Sequence, residues 1–311
     1  MAYLAGKGID APDDIAWTDQ AMGKIIWLAS YPKSGNTWLR AFLHNLLRDP
    51  AEGYDLNKMS DFTVGDTAGM FYQKFLRKPV KEMTEDEVSI LRPKVQEMIT
   101  RSSTDSVFVK THNALVSFLD RPLIHMEHTA GALYVVRNPL DMVISHADHY
   151  GKTIDESIEI IGMSDSMVMT GEQNVHEIHC SWSRHVESWT ANPHRALHVM
   201  RYEDMHARPL ETFGGLVQFL RLPVERERLE RSIRLSSFKE LRKKEEEKGF
   251  IERSDAQKRF FRQGKAGAWR DVLTPEQVER IAAKHEQQMR RFGYWPIKDW
   301  DAPRQAAALS A

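Results

Sequence analysis

The chain has 311 residues, enough for a large core in one α/β domain or two, and its 43 basic and 44 acidic side chains leave a net charge of −1. That balance gives no general case for nucleic-acid binding, and no run approaches the ~18–20 apolar residues of a membrane span. The first residues lack the apolar centre of a signal peptide, and the single cysteine, Cys180, excludes an intramolecular disulfide, so a cytoplasmic location is the simplest expectation.

Residues 1–23 read as an irregular lead-in, 24–298 as one domain without repeats or linkers, and 299–311 as a flexible tail. The first strong signal is the apolar run at 25–29. It is followed by Tyr31-Pro32-Lys33-Ser34-Gly35-Asn36-Thr37 and then by Leu39, Phe42, Leu43, Leu46 and Leu47 at helical spacing. This is a strand, a tight basic loop and a helix. Gly35 lets the backbone curl so that several N–H groups and the helix N-terminus face one doubly charged anion. Lys33 adds a point charge, and Ser34 and Thr37 add hydroxyl donors. Trp38 offers a flat face to a purine or fills the core. The loop is P-loop-like, but it is not a Walker A loop, because Lys33 precedes its only glycine.

Residues 50–82 are punctuated by glycine and polar residues and read as loops. Thr84-Glu85-Asp86-Glu87 is a capping box that starts a helix running to about 102. A short strand at 105–110 ends in Lys110 and leads to Thr111-His112. Another at 132–136 leads to Arg137. Pro139 opens a helix at its first position, with Asp141 in the first turn and Ser145 beyond. Arg137 can grip a phosphate bidentately or pair locally with Asp141. His146 and His149 face an acceptor pocket or simply make a polar helix face. Over 172–190, the spacing of Val175, Ile178, Trp182, Val186 and Trp189 predicts one amphipathic helix. His176, His179 and Cys180 invite a zinc reading there, but the ligand set is incomplete, so they are expected to be core and no metal is expected.

A strand at 196–201 precedes Tyr202, and helices are predicted at 209–220, 224–235 and 275–292. Residues 242–248 mix lysine, arginine and glutamate and read as a solvated helix or lid. The segment 260–269, with two glycines among aromatic and basic residues, suggests a loop folding over an anion. Strands alternating with helices imply a single doubly wound, mostly parallel sheet flanked by helices, with ligands beyond the carboxyl ends of the strands. The 31–37 loop, His112, Arg137 and Tyr202 all fall just after predicted strands.

The string YPKSGNTW resembles the donor loop of the cytosolic-type sulfotransferases, which take a sulfuryl group from 3′-phosphoadenosine-5′-phosphosulfate (PAPS) and release 3′-phosphoadenosine-5′-phosphate (PAP); Asn36 stands where the family usually has threonine. Four further segments match in family order: Lys110-Thr111-His112, followed here by Asn113-Ala114; Arg137 with Ser145; Tyr202-Glu203-Asp204; and Ser236-Ser237-Phe238 followed by the 262–269 loop. In that loop Arg262, Gly264, Gly267 and Trp269 match, while Gln263 replaces a lysine and Ala268 an aspartate. The resemblance implies that Lys33, Ser34, Gly35, Asn36 and Thr37 bind the 5′-phosphosulfate. It implies that Arg137, Ser145, Arg262, Gln263 and Gly264 lie at the 3′-phosphate, and Trp38, Tyr202, Ser236 and Phe238 at the adenine. It further implies His112 as general base, Lys33 on the leaving phosphate, Lys110 on the sulfuryl charge and Ser145 restraining Lys33 until an acceptor arrives.

No metal is called for. The implied partner is a small molecule offering a hydroxyl, less readily an amine. Phe62, Met70, Phe71, Tyr72, Phe75, Met163, Met167 and Met169, in loops 50–82, 113–128, 146–172 and 240–260, suit an apolar or phenolic acceptor or else are core. Arg270, Thr274 and Glu279 match the frame of the family's dimer motif, but Pro275 replaces its valine, so a monomer and a homodimer are both allowed. The alternatives are a nucleotide kinase or other phosphotransferase, and a non-catalytic nucleotide-binding protein.

Overall fold

A computed structural model describes residues 3–5, 24–261 and 264–297. Its strands are β1 (Tyr3–Ala5), β2 (Ile25–Ser30), β3 (Val64–Gly65), β4 (Val107–Thr111), β5 (Ser117–Phe118), β6 (Arg121–Pro122), β7 (Thr129–Val136), β8 (Ser166–Val168), β9 (Glu177–Ile178) and β10 (Leu197–Arg201). Its helices are α1 (Asn36–Arg48), α2 (Gly69–Tyr72), α3 (Glu85–Thr100), α4 (Pro139–Tyr150), α5 (Ile154–Gly162), α6 (Trp182–Thr190), α7 (Tyr202–Ala207), α8 (Pro209–Phe219), α9 (Arg226–Leu235), α10 (Phe238–Lys248) and α11 (Pro275–Arg291).

The central sheet is parallel throughout, in the order β10-β7-β2-β4-β3. Alternate residues feed two cores. Ile25, Trp27, Ala29, Ala132, Tyr134 and Val136 pack on one side, and Leu28, Leu133 and Val135 on the other. Burial on both faces is why these strands read as unbroken apolar runs. The one polar atom of Trp27 is satisfied, with Nε1 donating to Thr129 Oγ1 at 2.9 Å. From β2 the chain crosses to the β4 side, and from β7 it crosses to the β10 side. The switch point between β2 and β7 opens a crevice at their carboxyl ends.

Local signals are borne out where their determinants lie within one turn. Thr84 and Glu87 form the predicted capping box, Pro139 sits in the first turn of α4, and Thr274 caps α11 with Pro275 at its start. In that setting Pro275 is a helix-initiating residue.

Other expectations are corrected. The helix over 172–190 is instead β9 followed by α6. Ser181 is the N-cap, accepting from Arg184 N–H, and Cys180 just before it has φ 58°. Val175, Ile178, Trp182, Val186 and Trp189 are all buried, and burial on a strand-turn-helix unit mimicked a helical stripe. Cys180 is core, and burial pushes its thiol up to about 12. No group of three metal-ligating side chains forms among the described residues, His176, His179 and Cys180 included.

The loops predicted at 50–82 hold β3, α2 and two short 3₁₀ turns, and 146–172 contains α5, announced by an overlooked capping box of Thr153 and Glu156. The lead-in contains β1, antiparallel to β8. The rest of the lead-in and the 299–311 tail lie outside the described residues, as do Arg262 and Gln263. No described helix is long and apolar enough to cross a membrane.

Candidate active site

A cavity of about 1350 Å³ opens at the carboxyl ends of β2, β4 and β7. Its floor is the loop between β2 and α1. Lys33 has φ 66° and Gly35 φ 110°, so the chain curls through two left-handed residues before α1 begins. Only glycine fits at 35. A Cβ there would stand 2.7 Å from Tyr202 Cδ2, and the same ring packs against the Arg137 guanidinium 4.3 Å from its centre. The N–H groups of Asn36, Thr37 and Trp38 open α1 and have no intrahelical partner. Asn36 turns inward, its Nδ2 donating to Leu28 O at 2.8 Å, which ties the loop to the end of β2.

Arg137 follows β7 and donates through Nη1 to Lys33 O at 2.8 Å, so the two predicted anion sites share one wall. Asp141 takes no part in an ion pair with Arg137. Its two oxygens accept from Gly267 N–H at 2.6 Å and Trp269 N–H at 3.0 Å, which anchors the C-terminal glycine loop on α4. Phe238 lies wedged under Gly264, where a Cβ would meet its ring at 2.1 Å. Trp38 reaches the cavity but is packed by Tyr202, His206 and Phe213. Gly264, Phe238 and Ser145 line the cavity. Ser236 does not. It is fully buried at the end of α9, and its hydroxyl donates back to Ser232 O at 2.8 Å.

Among the buried polar atoms that lack a partner in the described residues, Trp38 Nε1 and Arg137 Nε belong to residues that line the cavity. An anionic ligand on this wall would offer acceptors to both. Burial, with Lys110 and Arg137 nearby, lowers the Lys33 ammonium to about 7, against the pull of Glu252. A bound dianion would raise it again. Among the described residues Lys33 is not bonded to Ser145; its Nζ rests 4.0 Å from the centre of the Phe260 ring. Phe260 is held there by Glu245, whose carboxylate accepts from the N–H groups of Phe260 and Phe261 at 2.6 and 2.9 Å.

The opposite wall begins at β4. A strand's two-residue period puts Lys110 and His112 on one face and Thr111 on the other. Accordingly Lys110 and His112 line the cavity, while Thr111 is buried and donates to Asp66. His112 is fixed at three points. Its Nδ1 donates to Ser30 O at 2.7 Å, which fixes the tautomer and leaves Nε2 as the lone-pair nitrogen. Its N–H donates to Glu177 Oε1 at 3.2 Å, and its carbonyl accepts from His185 Nε2 at 3.1 Å. Burial and the Lys110 charge depress the imidazole to about 3. Asn113, just beyond, is a fully buried staple. It donates to Asp66 at 2.8 Å and accepts from Ile178 N–H at 2.7 Å, holding β9 against β4.

Reading the sequence missed Glu177 and Glu252. Glu252 comes from the segment after α10 and binds Arg40 at 2.6 Å and Thr37 Oγ1 at 3.5 Å. Burial works against its charge, but Arg40 holds it down at about 2. Neither acid sits in a local motif; Glu177 stands between His176 and Ile178 with no spacing signal of its own. Of the paired histidines, His149 lines the cavity, while His146 is buried against Ser157. Of the eight acceptor candidates, Met70, Phe71 and Met169 line it. Tyr72 and Met167 are core, and no residue of 113–128 lines the cavity.

A family model described as the sulfotransferase domain matches residues 24–293. Cytosolic sulfotransferase 16 of Arabidopsis thaliana is 27% identical over 282 residues, covering 86% of this chain and 76% of its own. Flavonol 3-sulfotransferase of Flaveria bidentis is 25% identical over 280 residues, covering 85% and 81%. In fold, the chain is similar to mouse sulfotransferase SULT7A1 complexed with PAP, at TM-score 0.58 and 20% identity, covering 86% and 85%. It is also similar to retinol dehydratase in a complex with retinol and PAP, at TM-score 0.61 and 19% identity, covering 88% and 83%.

Proposed function

The chain belongs to the sulfotransferase domain family, and on that premise we propose that it moves a sulfuryl group from PAPS to the hydroxyl of a small, largely apolar acceptor, with His112 as general base. One observation carries the reading: a single cavity holds the Lys33 loop, Arg137, and the strand end with Lys110 and His112. The unpartnered donors Trp38 Nε1 and Arg137 Nε on the cavity wall support an anionic nucleotide as the ligand. The PAP named in the complexes of the structural neighbours points to the same nucleotide. Lys33, Ser34, Gly35, Asn36 and Thr37 take the 5′-phosphosulfate. Arg137, Ser145 and Gly264 take the 3′-phosphate, and Trp38, Tyr202 and Phe238 the adenine.

The donor supplies a sulfuryl group whose bond to the 5′-phosphate breaks as the acceptor oxygen bonds to sulfur. His112 Nε2 receives the hydroxyl proton and later returns it to water. Lys33 neutralises the charge that grows on the leaving phosphate, and Lys110 the charge on the sulfuryl oxygens. Met70, Phe71, Val168, Met169 and Ile251 on the cavity wall favour an apolar acceptor, in line with the flavonol and retinol named for relatives. The name of the plant relative, a cytosolic sulfotransferase, supports a cytosolic location.

Calorimetric titration with PAP, followed by mass-detected transfer from PAPS to a panel of phenols, alcohols and amines, tests the whole reading. PAP binding and a sulfated product are expected. Indifference to PAP together with magnesium-dependent turnover of ATP would replace it with a kinase. Two variants probe the donor wall. Lys33→Ala is expected to lower turnover by about 10²–10³ and PAP affinity much less; equal losses in both would deny Lys33 a role in the chemistry. Gly35→Ala combines a left-handed backbone with the clash on Tyr202, so PAP affinity should fall by at least about tenfold in a protein that still unfolds cooperatively. Unchanged PAP affinity would mean that the curled loop does not hold the nucleotide.

A further inference from the structure

Beyond the donor wall and His112, the cavity contains a carboxylate that the reading above does not use. Glu177 lies on β9, a short strand of the small antiparallel sheet, and faces the cavity beside His112. Its side chain is 17% exposed. Both oxygens are held: Oε1 accepts the His112 N–H at 3.2 Å, and Oε2 accepts from His179 Nε2 at 2.9 Å. Burial works against its charge, yet the His179 bond and the nearby positive charge of Lys110 keep it well below the usual carboxylate range. Glu177 is therefore an anion fixed in place against the base, with little freedom to move when charge appears there.

Such an anion answers a physical need. His112 is flanked by the Lys110 ammonium and enclosed by protein, so a second positive charge on its ring is disfavoured. Taking a proton from an ordinary hydroxyl requires that charge to form. The other carboxylates that line the cavity are committed elsewhere: Glu252 to Arg40, Asp141 to the Gly267 and Trp269 N–H groups, and Glu172 to Lys81. His185 holds the His112 carbonyl from behind and has its own Nδ1 bonded to the Tyr134 hydroxyl at 2.8 Å, so it takes no part on the cavity side.

We propose that Glu177 is a positioning residue for the reaction: its carboxylate, clamped by His179, fixes the backbone of His112 and compensates the positive charge the ring acquires when it takes the acceptor's proton. The inference rests on His112 being the base. The proton passes from the acceptor oxygen to Nε2 and on to water after product leaves; Glu177 itself neither gains nor loses a proton.

The test is the dependence of rate on acceptor acidity. A strongly acidic nitrophenol is largely ionised before it binds and needs little help from a base, whereas an unsubstituted phenol or an aliphatic alcohol needs it fully. Glu177→Gln keeps the shape and an acceptor for the His112 N–H but removes the charge. Its kcat is expected to fall by at least about tenfold with the weakly acidic acceptor and little with the nitrophenol, while calorimetric PAP affinity is unchanged. Glu177→Asp keeps the charge one methylene further back, so its loss should be smaller and again confined to the weakly acidic acceptor. If E177Q does not fold, E177D decides alone by that selectivity.

Equal losses with both acceptors, or no loss with either, would overturn the proposal. His112→Ala run in parallel separates the two claims. If it discriminates between the acceptors and E177Q does not, only the Glu177 role falls. If it too fails to discriminate, the base assignment falls first.

Discussion

His112→Ala is expected to lower turnover with a weakly acidic hydroxyl acceptor by about 10²–10⁴ while leaving PAP affinity essentially unchanged. The size follows from what the residue is arranged to do. The Nδ1–H bond to Ser30 O leaves only Nε2 free for the acceptor's proton, and the bonds from His185 and to Glu177 keep the residue in register with the cavity. His149, the other histidine lining the cavity, donates its Nδ1–H to Gln257 at 2.8 Å and belongs to the end of α4. Binding is spared because the residues proposed for the phosphates lie on the β2–β7 side. Initial rates at saturating PAPS, paired with calorimetry on PAP, separate the two quantities. A variant that sulfates phenol at the wild-type rate would remove His112 from the mechanism.

The second large effect is on stability. The chain should lose stability steeply as pH falls from about 6.5 toward 4. Nine histidines, His44, His112, His125, His146, His149, His176, His185, His206 and His285, are held at about 3 or 4, in every case chiefly by burial. An unfolded histidine titrates near 6.5. Between those values the unfolded chain binds protons that the native one refuses, so acid favours unfolding.

Each fully shifted group contributes about 1.4 kcal/mol per pH unit in that window. If partial exposure and relaxation leave only about a third of them acting, the slope is still about 4 kcal/mol per pH unit, against a total stability of roughly 5–15 kcal/mol. Asp66 works the other way. Burial raises it to about 6, so the native state gains protons there and is stabilised as pH falls below 6; one group does not offset several. Glu252, held low by Arg40, adds a further loss only below about 4.5. Urea midpoints at pH 7.5, 6.5 and 5.5 should therefore fall progressively. A midpoint that stays constant from 7.5 to 5 would mean that these imidazoles are not kept neutral by the fold.

Much of the loop after β2 was legible in the sequence because its determinants are local. A glycine that must be left-handed, a lysine two residues before it and a helix start just after it fix one loop within seven residues. The capping box at Thr84 and the proline at 139 work on the same scale. The alternation of elements then placed Lys33, His112, Arg137 and Tyr202 at one sheet edge. The failures share a cause as well. Over 172–190 the apolar positions are buried whether the segment is a helix or a strand and a turn, so burial alone imitated a helical period. Ser236 carries the expected residue type, but the end of α9 claims its hydroxyl.

By itself, the amino-acid order determined the parallel α/β architecture, the curled loop after β2 and the nitrogen-bearing side chains at the end of β4, since each depends on neighbours a few positions away. Tertiary structure alone decided which distant groups complete the site: Glu177 beside His112 across 65 residues, Glu252 on Arg40 across 212, Asp141 holding the Gly267 loop across 126, and the Phe260 ring beneath the Lys33 ammonium. Those pairings arise from packing several elements against one sheet edge, where the energy of a buried charge depends on what the fold brings next to it and not on its neighbours along the chain.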